Sequence, residues 1–222
     1  CHGARNALGA LKAGATGGSL LPGSNWYAPS LRASAEAGVA DWPDAEIVAL
    51  LKTGWSGRGA ASGPMAEVVL RATQHLSDAD LRAMAAYLKS LPAEERPASA
   101  AREPSKDVAT ARSLRGAQVY RDHCERCHGA NGQGVAGAYP ALAGNRAVMM
   151  ARTTNLVHAV LHGGFAPATA GNPRPFGMPP FVLTLDDADI AAVLSHLRTA
   201  WGHAAPEISE LDVHRVRAAS AR

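Results

Sequence analysis

The stretch Cys124-Glu125-Arg126-Cys127-His128-Gly129 is the most informative part of this 222-residue chain. Two cysteines separated by two residues, with a histidine directly after them, are the pattern of a c-type haem attachment. At the start of a helix Cys124 and Cys127 lie on the same side, so both thiols can reach the vinyl groups of one haem. The imidazole of His128 can then bind the iron as its proximal ligand. The motif therefore predicts covalently bound haem c.

Two other kinds of site also use paired cysteines. A zinc site needs four ligands, usually including a second Cys or Cys/His pair, and the chain has 3 Cys in all. A thioredoxin-type dithiol follows a strand in a βαβ unit. Residues 111–122, before Cys124, instead place apolar side chains at a helical period. Haem attachment is the stronger interpretation.

Composition and charge limit the class of protein. The formal net charge is +3 with a pI of about 8.9, and the basic residues are scattered, which does not favour a nucleic-acid partner. Aromatic residues make up 5% of the chain, so a large apolar cofactor that supplies its own buried surface fits the composition. No apolar run approaches the roughly 20 residues of a membrane span. Covalent haem predicts an oxidising compartment outside the cytoplasm, the periplasm.

The sequence contains an internal repeat. Cys1-His2-Gly3-Ala4 repeats Cys127-His128-Gly129-Ala130, and Leu76–Leu81 matches Leu185–Ile190. The repeat predicts two related units, and it indicates that Cys1 and His2 end a second haem motif. We expect the first cysteine of that motif to precede Cys1. A lipoprotein with a lipidated Cys1 is the alternative, which the repeat disfavours.

A low-spin haem that transfers electrons needs a second axial ligand, and methionine raises its potential. Met178 stands between Gly177 and Pro179, which predicts an extended loop from which the thioether can project. Met65 follows Pro64 at a similar place in the first unit, where we also predict a loop. The two methionines are therefore the predicted distal ligands.

The other candidate ligands are predicted to have packing roles. Three methionines fall in predicted helices and are expected to fill the core: Met84, Met149 and Met150. His158 and His162 are four apart on one helix face, a spacing that also suits a metal. Because Thr53 stands in the first unit where His162 stands in the second, we predict core or solvated histidines. His123 is expected to point away from the haem.

Four stretches together are similar to one family. They are the Cys124–His128 motif, the Met178 loop, the block from Leu76 to Leu88, and Gly63–Val69. They resemble the multihaem cytochrome c subunit of bacterial membrane-bound dehydrogenases, which include alcohol, gluconate, sorbitol and molybdenum-hydroxylase (aldehyde or N-heterocycle) dehydrogenases. The resemblance covers residues 1–202 and implies an all-α fold of two tandem class I cytochrome c domains with long haem-wrapping loops.

The resemblance implies a role for each matching residue. In the second unit, Cys124 and Cys127 form the thioether bonds, His128 is the proximal ligand and Met178 the distal one. The carbonyl of Pro140 accepts the imidazole N–H of His128. In the first unit, the matching residues are Cys1 as an attachment residue and His2 and Met65 as ligands. The implied cofactor is haem c at two sites, the first with an incomplete motif.

These observations divide the chain into four predicted segments. A linker rich in proline and alanine separates the two domains, and a polar stretch follows the second. The segments are residues 1–91 (cytochrome c domain, N-terminally truncated), 92–110 (linker), 111–202 (cytochrome c domain) and 203–222 (surface tail).

The expected function is periplasmic electron transfer without substrate turnover by this chain alone. The family implies electrons from a dehydrogenase catalytic subunit, passed to quinone or to a downstream cytochrome or oxidase, with association at the membrane surface. One alternative is a dihaem enzyme of the peroxidase or thiosulfate dehydrogenase type, which needs an open iron position or a spare cysteine ligand. The other is a binding module without redox activity, which leaves the haem motif unexplained.

Overall fold

The computed structural model describes residues 1–12, 14–95 and 106–220. The helices in these residues are α1 Asp44–Thr53, α2 Pro64–Arg71, α3 Asp78–Ser90, α4 Lys106–His123, α5 Glu125–His128, α6 Arg146–Met149, α7 Thr154–His162, α8 Asp187–Thr199 and α9 Glu210–Ser220. The two-residue strands pair as β1 Ser19–Leu20 with β2 Tyr27–Ala28, β3 Trp55–Ser56 with β4 Gly59–Ala60, and β5 Gly164–Phe165 with β6 Gly177–Met178. The predicted helical character is confirmed. The strands were not predicted, because two residues are too few to show an alternation.

The chain divides into two compact units. Unit 1 comprises Cys1–Pro97 with Phe165–Pro175, and unit 2 comprises Ala98–Gly164 with Phe176–Arg222. The predicted second domain, 111–202, therefore differs from unit 2 in the segment 165–175. Within unit 1, the Thr169 hydroxyl of this segment donates to the Thr53 carbonyl at 3.2 Å.

The core of unit 1 lies where α1 packs against α3. Its buried side chains are Val39, Trp42, Ile47, Leu51, Leu81 and Ala85. Helix α3 begins with a capping box in which the Ser77 hydroxyl accepts from the Asp80 amide at 3.2 Å, which satisfies a backbone donor that the helix leaves unpaired. Ser77 is therefore the N-cap of α3.

The core of unit 2 is built on the crossing of α4 and α8, against which α7 and α9 also pack. Its buried side chains are Val119, Tyr120, Val148, Val157, Val160, Leu161, Phe181, Leu185, Ile190, Ala191, Val193, Leu194, Leu197, Ile208 and Val213. The carboxylate of Asp186 caps α8 by accepting from the Asp189 amide at 2.7 Å. This cluster supports the haem motif, since α5 directly follows α4.

The surface tail predicted for residues 203–222 is wrong for the described part, 203–220, and residues 221–222 lie outside the described residues. Ile208 and Val213 are 1% and 0% exposed and belong to the core of unit 2. The stretch is polar in composition, but Val213 and Val216, three residues apart, face the same side of α9 and pack against this core. The average polarity of the segment concealed this stripe.

The predicted linker, 92–110, is shorter in the structure. Helix α4 already begins at Lys106, and residues 96–105 of the predicted linker lie outside the described residues. Across the part of the chain that the structure describes, no helix is both long enough and apolar enough to span a membrane.

Candidate functional site

A single helical turn arranges the haem motif. The amides of Cys127 and His128 both donate to the Cys124 carbonyl, at 3.2 and 2.9 Å. Because Cys124, Cys127 and His128 share this turn at the start of α5, their side chains leave neighbouring positions of one helix. Gly129 ends the turn at a φ of 78°, a left-handed conformation that glycine adopts without strain.

The imidazole of His128 is held in one tautomer. Its Nδ1–H donates to the Pro140 carbonyl at 2.9 Å, so Nε2 keeps the lone pair that a metal ion requires. Burial lowers the pKa of His128, although the bond to Pro140 opposes this, and the neutral, ligating form is favoured. The hydrogen bond implied by the family resemblance is therefore present, and the role of His128 as an iron ligand stays a prediction.

The cysteine thiols of the motif are both free and half-buried. Burial, and then the neighbouring Cys127, raises the pKa of Cys124 to about 11. A catalytic dithiol has a lowered pKa instead, because its thiolate is the nucleophile. Within the described residues, no group of three or more His, Cys, Asp or Glu side chains could hold a metal ion. The raised pKa of Cys124 therefore disfavours the thioredoxin interpretation.

Met178 borders the same core as the motif. It lies on β6, is half-buried, and packs with Cys124 against the core of unit 2. The residues present fit haem c: two thiols for its vinyl groups, an imidazole nitrogen and a thioether sulfur for its iron, and an apolar cluster beside them. That Met178 binds the iron stays a prediction.

Unit 1 repeats the arrangement around its histidine. His2 Nδ1–H donates to the Pro29 carbonyl at 2.7 Å, and the His2 carbonyl accepts from the Gly18 amide at 2.9 Å. In unit 2, the His128 carbonyl likewise accepts from the Gly134 amide at 2.8 Å. Burial, the largest effect, lowers the pKa of His2 as well.

Sequence reasoning missed Pro29. The histidine and the proline are 12 residues apart in unit 2 and 27 apart in unit 1, so a fixed spacing does not find it. The shared pattern Pro-x-Leu, which runs from Pro29 to Leu31 and from Pro140 to Leu142, is the signal that could have found it.

A buried carboxylate supports the Pro29 segment. Glu36 is 7% exposed and accepts from the Tyr27 hydroxyl at 2.8 Å and from the Ser30 amide at 2.6 Å. It therefore holds the Tyr27 side chain before Pro29 and the Ser30 backbone after it. Nothing in the sequence around Glu36 distinguished it from a surface acid.

Met65 is placed differently from the prediction. It lies in the first turn of α2, half-buried against the core of unit 1, and not in a loop. Pro64 begins this helix, because proline suits the first helical position, where its missing N–H is not needed. Cys1 is exposed.

The remaining histidines occupy packing or surface positions. The rings of His158 and His162 lie 5.5 Å apart; His158 is buried and His162 is exposed. The exposed His123 contacts the Phe181 ring with the ring centres 5.8 Å apart.

The geometry of unit 2 agrees with comparisons to known proteins. Residues 113–201 match the cytochrome c family. Over 92 residues the chain is 38% identical to cytochrome c-552 of Thermus thermophilus, a match that covers 40% of this chain and 70% of that protein. The chain belongs to the cytochrome c family. Haem c is therefore its cofactor class.

Longer relatives extend the similarity over all of this chain. The chain is 37% identical to the cytochrome c subunit of the quinone alcohol dehydrogenase of Gluconobacter oxydans, with 100% of this chain and 48% of that protein covered. It is 32% identical to the fructose dehydrogenase cytochrome subunit of Gluconobacter japonicus, with 98% and 49% covered. The cytochrome spans about half the length of these relatives. The resemblance to dehydrogenase cytochrome subunits is confirmed.

Proposed function

We propose that this cytochrome transfers electrons through two haem c groups, one in each unit. The residues proposed to attach and ligate them are Cys124, Cys127, His128 and Met178 in unit 2, and Cys1, His2 and Met65 in unit 1. Bound haem supplies an iron that takes up and releases one electron at a time. The polypeptide positions that iron and tunes its potential. Each unit is thereby proposed to be a cytochrome c domain.

The repeated histidine environment is the observation that carries the proposal. In both units a histidine Nδ1–H donates to a proline carbonyl, and the carbonyl of the same histidine accepts from a glycine amide. Both glycines, Gly18 and Gly134, have φ above 60°. Such a hydrogen bond orients a ligating imidazole and raises its basicity, and a histidine that only fills a core does not need its Nε2 left available.

The proposed ligand set leaves no position for a substrate. With His128 and Met178 on one iron, and His2 and Met65 on the other, both irons have six ligands. A peroxidase-type iron needs an open position, and the three cysteines are all assigned to attachment. We therefore infer an electron-transfer subunit without substrate turnover of its own, in preference to a dihaem enzyme.

The relatives indicate the class of partner. Two of them are cytochrome subunits of dehydrogenases for alcohol and fructose. The proposed electron donor is thus a dehydrogenase catalytic subunit, and the proposed acceptor is quinone or a downstream cytochrome or oxidase. Covalent haem favours an oxidising compartment, so we propose a periplasmic location at the membrane surface.

Mass spectrometry of tryptic peptides tests the two sites. The Cys124 and Cys127 peptides, which trypsin separates after Arg126, should stay joined through one covalent haem in the natural protein, and the Cys1 peptide should also carry the mass of haem. The Cys124→Ser/Cys127→Ser variant should lose the haem from unit 2 alone. A Cys1 peptide without haem would restrict the proposal to unit 2, and one with a lipid adduct would support the lipoprotein alternative.

Reduction experiments test the function. The purified cytochrome should be reduced by ascorbate, and by an alcohol or a sugar only after a dehydrogenase catalytic subunit is added. Haem reduction is followed by the visible α band. Substrate oxidation that scales with the cytochrome alone would contradict the proposal and favour the dihaem enzyme.

A further inference from the structure

The segment Met178–Leu185, here called the Met loop, is anchored on one side by α7. The Phe181 amide donates to the Val160 carbonyl at 3.1 Å, and the Val182 amide donates to the Leu161 carbonyl at 3.0 Å. These two bonds use carbonyls at the end of α7, which have no partner within the helix. The loop backbone is therefore fixed to α7 just beyond Met178.

Gly163, directly after α7, allows the Met loop to approach the end of that helix closely. A Cβ added to Gly163 would overlap the Met178 carbonyl oxygen and the Pro179 backbone. Gly163 also has a φ of 61°, which other residues adopt with strain. The end of α7 and the backbone of Met178 therefore touch directly on this side.

Helix α9 holds the Met loop from the other side through one residue. Arg217 Nη1 donates to the Val182 carbonyl at 2.6 Å, and Nη2 donates to the Leu185 carbonyl at 2.9 Å. Its Nε donates to Asp187 Oδ1 at 2.7 Å, which anchors the guanidinium at the start of α8. One side chain thus connects two loop carbonyls to a helix terminus with the planar fork that arginine provides.

The anchoring of the Met loop has a consequence for its methionine. Most of the loop lies outside regular secondary structure, so its position depends on α7 and on Arg217. Helix α9 lies beyond residues 113–201, the part that matches the cytochrome c family. We propose that Arg217 is a positioning residue that holds the Met178 sulfur in place for the haem iron. This inference rests on the proposed function, in which Met178 is the distal ligand.

The chain offers a matched control on the same helix. Arg215 is 68% exposed and pairs with Asp212 within α9, at 3.7 Å. Arg215→Ala therefore removes the same charge from α9 without touching the Met loop. Val213→Ala is a second control, because Val213 lies in the core and its truncation weakens the packing of α9 while keeping the arginine.

The test is a titration of the ferric holoprotein with imidazole, followed by the weak far-red charge-transfer band that a Met–iron bond produces. The part of this band that belongs to unit 2 is defined first by its loss in Met178→Ala. We expect Arg217→Ala to lower, by about tenfold, the imidazole concentration at which half of the unit 2 band is lost. A change of this size corresponds to the loss of charge-assisted hydrogen bonds. Arg215→Ala should leave the concentration unchanged, and Arg217→Lys should give a smaller decrease.

The outcomes separate this inference from the proposed function. If Met178→Ala leaves the band intact, Met178 is not the ligand and the proposed function of the site fails. If Met178→Ala abolishes it but Arg217→Ala behaves as Arg215→Ala does, only the positioning role is refuted. If Val213→Ala and Arg217→Ala lower both the Tm and the imidazole concentration for half-loss by the same amounts, Arg217 acts only on stability and the positioning role is refuted. If Arg217→Ala does not fold, Arg217→Lys decides: an imidazole concentration for half-loss of the band equal to that of the parent protein overturns the proposal.

Discussion

Gly116 on α4 lies directly against the backbone of Ala192 on α8. A Cβ added to Gly116 would overlap the Ala192 carbonyl oxygen, so the two helices approach as closely as their backbones allow. Because α5 and its haem motif directly follow α4, this crossing positions the site as well as the core.

Gly116→Ala should destabilise unit 2 by about 1–3 kcal/mol, because the added methyl group forces the helices apart. In a helix without such a neighbour the same change stabilises by about 1 kcal/mol, so the sign of the effect is diagnostic. Urea unfolding measures it. Ser113→Ala, at an exposed position of the same helix, is the control, and a gain in stability for Gly116→Ala would contradict the close crossing.

Met178→Ala should lower the reduction potential of the haem in unit 2, because the thioether that favours ferrous iron is lost. A redox titration followed in the visible spectrum measures this change. Met149→Ala provides a matched control, since Met149 is also half-buried in unit 2 but is assigned to packing. Equal potentials in the parent and Met178→Ala would remove Met178 from the ligand set.

Protonation of Asp186 should make unit 2 less stable in acid. The amide of Asp189, and to a smaller extent Arg115, lowers the pKa of Asp186 below its usual 3.8. A lowered pKa means stability that is present above the ordinary value and is lost as the pH falls through the native pKa. Asp186→Ala should cost about 1 kcal/mol at neutral pH, as for other N-caps.

Asp186→Asn separates the charge from the cap. Asparagine also caps helices well, but it does not titrate, so the loss of stability in acid should be smaller than in the parent. Urea unfolding at several pH values between neutral and acidic compares the two. If the free energy of unfolding falls with pH by the same amount in Asp186→Asn and in the parent, the carboxylate does not contribute this pH dependence.

Arg198 should be among the most sensitive residues of unit 2. It is 1% exposed, and its guanidinium donates to the carbonyls of Val148 and Met150 at 2.6 and 2.9 Å and to that of Pro206 at 2.5 Å. Burial lowers its pKa.

Arg198→Met keeps the apolar bulk but leaves three carbonyls without this donor. We expect a loss of about 3 kcal/mol or more, because each buried unsatisfied group costs roughly 1–3 kcal/mol. Thermal unfolding measures it, with Arg121→Met at an exposed position as the control. A Tm within a degree or so of the control would show that water replaces the guanidinium at little cost.

The sequence was informative where the chemistry demands particular residues at short spacing. The turn from Cys124 to His128 follows from the motif, because haem attachment requires both cysteines and the histidine at this spacing. The His128–Pro140 hydrogen bond followed from family resemblance, because its geometry is set by one short loop.

The residues that were missed act over long or irregular paths. Pro29 escaped because an extended loop separates it from His2, and Glu36 because burial of a single acid leaves no pattern in the sequence. Arg198 and Arg217 resemble surface arginines in the sequence, since their partners are backbone carbonyls that any residue supplies. The packing of helix α9 was not predicted because a narrow apolar stripe is enough to hold a mostly polar helix against a core.

The hairpin of β1 and β2 lies on the long path from His2 to Pro29. Its turn, residues 22–25, is exposed, while the Leu21 amide closes the turn on the Trp26 carbonyl at 2.7 Å. Comparison of the two units shows that the length of this path varies while the histidine–proline bond is retained. The turn is consequently a suitable insertion point for a fluorophore tag or an affinity peptide, because its residues are exposed and the adjacent strand pairing closes behind them.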